Sequence, residues 1–172
     1  VMNKKNREQI KYRGITKELL HLKGLGQKMR QNYLERKQKW NHNLDKRNTE
    51  HLKKIIGEIG WPTILKVGRE AYNATRAIVQ HSDHDVKFQK QCLEMMKQDL
   101  KTDKRNIALL EDRIRVNEGK LQIYGTQFYT DENGDFKPRP IKEPGKVDKR
   151  RKKLRMGTLE EYKKGLLRMQ GK

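Results

Sequence analysis

The chain has 172 residues, of which 33% are hydrophobic and 37% charged, and it carries a formal net charge of +20. That length fits one domain with tails, and so little apolar content leaves much of the chain as solvated helix face or basic arm. The single cysteine, Cys92, excludes an internal disulfide and a cysteine-based zinc site, and no apolar run approaches the roughly 20 residues that cross a bilayer.

The N-terminus, VMNKKNREQI, lacks the apolar core of a signal peptide, so the chain reads as cytoplasmic. Its charge is unevenly placed. Residues 1–40 carry twelve Lys/Arg against three Glu, and residues 137–172 carry fourteen against four acids. Residues 41–136, with sixteen against fifteen, are nearly neutral. Three regions follow: a basic helical arm over 1–43, a core domain over 44–141, and a basic tail with a short helix over 142–172. Basic arms of this kind attract polyanions or keep a protein soluble.

In chain order, good helix formers run from about Asn3 to Trp40, with Leu19, Leu22, Leu25, Met29 and Tyr33 at helical spacing. Gly14, Gly24 and Gly26 predict a break or frayed stretch in it. Asp45 or Asn48 can cap a second helix whose apolar face is Leu52, Ile55, Ile56 and Ile59, and Gly60-Trp61-Pro62 ends it. Thr63 starts a third helix through His81, with the stripe Ile64, Val67, Ala71, Ala74, Ile78 and His81. A fourth runs from about Asp85 to Leu100 and a fifth from about Lys104 to Asn117. Residues after Gly119 are rich in β-branched and aromatic types around Asn133-Gly134, a hairpin signal. Within that segment Gln122, Tyr124 and Thr126 alternate on one strand face. KEPGK reads as a linker, VDKRRKKLRM as a charged segment, and Thr158 with Glu161 as a capping box for a terminal helix. The expected fold class is mainly α: a compact helical domain of about five helices with an attached β-hairpin in the C-terminal third.

The stretch His81-Ser82-Asp83-His84-Asp85 carries the densest chemistry. Ser82-x-x-Asp85 has the form of a helix capping box, which accounts for both residues without a function. His81 differs, because it continues the apolar stripe of its helix and points inward, where an imidazole needs partners. Glu111-Asp112-Arg113 and the polar run Gln122 to Gln127 supply further polar groups, and Gly125 allows close approach by a backbone or ligand. A solvated strand face is the plain structural account of that run. His81, His84 and Asp85 are the candidate ligands of a divalent metal, which requires the helix to continue through Ser82. No P-loop, GxGxxG, HExxH or GxSxG pattern occurs.

On Gly60-Trp61-Pro62-Thr63, Gln80-His81 with Asp83 or Asp85, Asp112-Arg113 and Gln122-x-Tyr124-Gly125-Thr126-Gln127, taken in that order, the chain resembles a family. This is the uncharacterised bacterial domain-of-unknown-function family 6624, resembled over about residues 44–141 with a weaker extension across 19–31. The resemblance implies no reaction, because the family has no established activity. It also marks departures. Gly26 stands where an acid usually precedes Gln27, Val86 where a proline often follows the aspartate, and Leu121 where proline is common.

These readings lead to a small-molecule or peptide-modifying enzyme, hydrolytic in type, whose site forms where His81, Asp112, Arg113 and the Tyr124–Gln127 stretch meet. His81 is the expected general base or metal ligand, with Asp85 or Asp112 orienting it. Arg113 is expected to bind an anionic group, Gln122 and Gln127 to fix amides or phosphate, Tyr124 and Thr126 to line the site, and Trp61 to pack its base. One alternative is a nucleic-acid-associated module contacting phosphates through Lys149, Arg150, Arg151, Lys152, Lys153 and the N-terminal lysines. The other is a helical protein-interaction module using Leu19–Tyr33.

Overall fold

The computed structural model describes residues 11–169. The expected helix start near Asn3, the signal-peptide reading and the first lysines lie outside the described residues. The chain divides into two units, Val1–Phe88 and Gln89–Lys172, with the boundary inside a helix. The architecture is mainly helical, with eight α-helices and one two-stranded antiparallel hairpin among the described residues.

Unit 1 holds α1 (Arg13–Leu34), α2 (His42–Ile59), α3 (Ile64–Val67), α4 (Arg69–Gln80) and the first residues of α5 (Val86–Gln98). Helices α1, α2 and α4 pack on one another. The stripe buried from α1 is Ile15, Leu19, Leu22, Gly26 and Met29, so this helix contributes to the core of unit 1. Burial of each large apolar side chain is worth about 1.5–3 kcal/mol. That exceeds the roughly 1 kcal/mol cost of each interior glycine, and α1 therefore runs unbroken through Gly14, Gly24 and Gly26. Leu25 and Tyr33, expected on this stripe, are exposed. Asn41, not Asp45 or Asn48, caps α2, its side chain accepting from Leu44 N–H at 3.1 Å.

The expected third helix is two. Gly68 has φ +81°, a left-handed conformation that separates α3 from α4. This break, together with two helices in the tail, raises the helix count from the expected five.

Unit 2 continues with the rest of α5, then α6 (Lys104–Asn117), β1 (Phe128–Thr130), β2 (Phe136–Pro138), a 3-10 turn (Pro144–Lys146), α7 (Val147–Lys153) and α8 (Leu159–Met169). Asp103 caps α6 by accepting from Arg105 N–H. The hairpin pairs Tyr129 with Lys137, and its turn is closed by the Asp131 carboxylate, which accepts from Asn133 and Asp135 N–H, with Gly134 at φ +84°. Thr158 and Glu161 form the expected capping box: Glu161 N–H donates to Thr158 Oγ1 at 3.2 Å and Thr158 N–H to Glu161 Oε2 at 2.7 Å.

Residues 121–127 do not form the expected alternating strand. Gly125 adopts φ +67°, which breaks the period of two, and the segment is a loop with an isolated bridge, Gln122 to Ile141, in place of a strand ladder. No described helix is long and apolar enough to cross a membrane.

Candidate functional site

His81 ends α4 and is half-buried. It lines two neighbouring spaces in unit 1. The first is a pinhole of about 10 Å³, bounded by residues that include Gly26, Arg30, Asp45 and Asn48. The second is a cleft of about 500 Å³, lined by Trp40, His42, Asp45, Lys46, His81, Asp83 and His84. Three imidazoles, two carboxyls, an ammonium and an indole thus reach one concavity from the α1–α2 connection, the start of α2 and the turn after α4.

Asp45 is the buried member of the set, and it accepts a hydrogen bond from Trp40 Nε1 at 2.9 Å. Burial pushes its carboxyl above the ordinary aspartate value, against the opposing pull of the Trp40 indole, Arg30, His42 and His84. Arg30 is held below the usual guanidinium value by its own burial, with Asp45 working the other way. The Trp40 ring is held edge-on to Tyr33 at 5.3 Å and tilted to His42 and His81 at 6.5 and 6.4 Å. A Cβ at Gly26 would stand 3.2 Å from Arg30 Nη1. The place where the resemblance implies an acid therefore faces the His81 pinhole, beside a guanidinium.

Two other residues of the 81–85 stretch, Ser82 and Asp85, have structural partners. Asp85, rather than Ser82, is the cap of α5: its Oδ1 accepts from Phe88 N–H at 2.9 Å, and its Oδ2 pairs with Lys53 Nζ at 2.7 Å. Lys53 first, and then the Phe88 amide, hold its carboxyl below the ordinary value. Ser82 is fully buried, its hydroxyl donating to the Ile78 carbonyl and lying 2.8 Å from Thr49 Oγ1. Among the described residues no three His, Cys, Asp or Glu side chains are grouped as a metal-ligand set. Trp61 is buried edge-on to Tyr72 and lines neither His81 space.

The remaining candidates lie in unit 2, around Asp112. This carboxylate is 0% exposed, and the 121–127 loop wraps it. Oδ1 accepts from Ile123 N–H at 2.6 Å and Tyr124 N–H at 3.1 Å; Oδ2 accepts from Thr126 N–H and Thr126 Oγ1, each at 3.0 Å. Gln122 closes the same loop from its other end. Its Nε2 donates to the carbonyls of Gln127 and Arg139, and its Oε1 accepts from Gln127 N–H. Gln127 in turn donates to Thr126 Oγ1 and accepts from Arg113 Nη1 at 3.2 Å. The Tyr124 phenol is pushed up by burial, then by Glu111 and Asp112. Polar groups that look like a ligand site in sequence are thus partners of one another.

Gly125 completes the wrap. A Cβ there would lie 2.7 Å from Leu159 Cδ1 and 3.0 Å from Ile141 Cδ1, and its φ is already left-handed. Two arginines of α7 staple the loop from outside. Arg151, only 1% exposed, donates to the Tyr124 and Gly157 carbonyls and lies over the Tyr162 ring at 4.9 Å. Arg150 donates to the carbonyls of Ile123 and Lys142. Expected as phosphate contacts, these two instead bond backbone carbonyls, because the loop presents carbonyls that no strand ladder satisfies. Lys149, Lys152 and Lys153 remain exposed.

Trp40, His42, Asp45 and Lys46 were not among the sequence candidates for the site. One signal points to Asp45 and Asn48: with Leu52, Ile55 and Ile59 they continue a stripe at spacings of three and four, so both are buried polar groups on an apolar face. Compared with known proteins, the chain matches a family of unknown function, DUF6624, over residues 15–171, extending past the 44–141 stretch on both sides. No curated protein and no solved structure matches it. The chain belongs to the DUF6624 family.

Proposed function

We propose that the protein is a small-molecule-modifying enzyme, hydrolytic in type, acting at the His81 cleft of unit 1. The observation that carries this reading is the cleft lining itself, where His81 and Asp45 share one concavity with Trp40, His42, Lys46 and His84. The His81 imidazole takes a proton from a water molecule, whose oxygen attacks the electrophilic carbon or phosphorus of the substrate. Asp45, whose carboxyl burial favours the protonated form, delivers a proton to the departing oxygen. Lys46 and the exposed imidazoles of His42 and His84 favour an anionic substrate, and the Trp40 face supplies apolar contact. The Asp112 cluster supports the fold and takes no chemical part. The one cysteine is buried, which suits a reducing compartment, and we read the protein as cytoplasmic.

A panel of aryl esters and aryl phosphates assayed against wild type, His81→Ala and Asp45→Asn tests the reading. Turnover by wild type that falls at least about 100-fold in both variants, with folding intact, is the expected result for loss of a general base or acid. Turnover unaffected by either change would remove the cleft from the chemistry.

A further inference from the structure

Helix α7 sorts its basic residues by type. Arg150 and Arg151 are turned to backbone carbonyls, as described, whereas Lys149, Lys152 and Lys153 are exposed. The spacing of i, i+3 and i+4 puts the three lysines on one face of the helix. Neighbouring lysines in the tail have acidic partners, Lys146 with Glu143 and Lys164 with Glu160, but among the described residues these three form no salt bridge. The acid closest in sequence, Asp148, is engaged elsewhere, accepting from Leu159 N–H at 2.7 Å. The stripe is therefore a cationic surface without ion-pair partners among the described residues, within a segment that carries fourteen Lys/Arg against four acids.

We propose that this lysine face of α7 docks on the phosphate backbone of duplex nucleic acid, without reading its sequence. Lysines act as flexible point charges, suited to phosphate attraction, whereas base-edge recognition relies on the bidentate fork that Arg150 and Arg151 commit inward. Lys149 to Lys153 spans about 6 Å of helix axis, on the order of two phosphate steps along a duplex strand. No aromatic residue lies on α7, so base stacking on a single strand has no platform there. The lysine face also lacks the apolar side chains that anchor an interfacial helix in a lipid surface. Docking here is independent of the cleft chemistry.

The test is a fluorescence-anisotropy titration of the full chain against a labelled 20-base-pair duplex at several salt concentrations. A triple variant, Lys149→Gln with Lys152→Gln and Lys153→Gln, is compared with a control removing the same charge from exposed lysines elsewhere in the chain: Lys17→Gln, Lys54→Gln and Lys101→Gln. The stripe variant should show a log–log salt slope shallower by roughly 2.7, since each neutralised phosphate contributes about 0.9. The control should change the slope by less than one such step. If the triple variant does not fold, each single change should remove about a third of the effect. Equal losses from both triples, no loss from either, or binding confined to phosphatidylserine vesicles would each overturn the proposal.

Discussion

Asp45 and Asp112 are both buried carboxylates, and they have opposite surroundings. Asp112 is enclosed by three backbone N–H groups and a hydroxyl from one loop, so both its oxygens are satisfied by donors built into the chain. Asp45 has one donor from Trp40, lines a cleft open to solvent, and is pushed up by burial. A saturated acid organises structure, whereas an under-supplied acid beside imidazoles is available for chemistry. The same contrast separates the two regions. The 121–127 loop consumes its polar groups internally, and the His81 cleft leaves Lys46 and two exposed imidazoles facing open space.

Substitutions break this contrast in graded steps. Asp112→Ala strands several buried donors and should cost about 3 kcal/mol or more, read as the loss in urea midpoint at unchanged slope. A loss below about 1 kcal/mol would show that the loop does not depend on the carboxylate. Gly125→Ala forces a left-handed alanine against Leu159 and Ile141 and should cost about 2 kcal/mol in the same experiment. His81→Ala, at a half-buried helix end, should lower stability by less than about 1 kcal/mol while removing turnover. Were Asp112→Ala mild and His81→Ala severe in stability, the assignment of roles would be reversed.

Acid titration separates Asp45 from a paired surface carboxylate, Asp85. Asp85 has a folded value below the ordinary one, so its stabilisation is present above the unfolded value and is lost as pH falls through the folded one. Asp45 has a folded value above the ordinary one, so the folded state binds more protons and stability falls as pH rises through that interval. Thermal unfolding of Asp85→Asn and Asp45→Asn across the acid range should therefore diverge from wild type with opposite pH slopes. Matching slopes would contradict the assigned environments.

Helix positions were legible where an apolar stripe had flanking caps, except that the α2 cap is Asn41, ahead of the expected Asp45 or Asn48. The α6 bounds and the Thr158–Glu161 box follow from local chemistry alone. The break at Gly68 and the continuity of α1 were not, because a glycine's effect depends on whether tertiary burial outweighs it. His81 was legible as a polar residue on an apolar face, and the same reading applied to Asp45 would have revealed it. The fate of Gln122 to Gln127 was hidden for a different reason. A polar run reads the same whether its partners are ligand atoms or its own backbone, and only the left-handed turn at Gly125 with the approach of α7 decides between them.

The most direct measurement maps amide and indole chemical shifts of the full chain during titration with phenyl phosphate, a small anion with an aromatic face. Saturable shifts are expected at the Trp40 indole and at His42, Lys46, His81 and His84, with Ile123, Tyr124 and Thr126 unmoved. Shifts centred on the 122–127 loop, with the cleft silent, would contradict it.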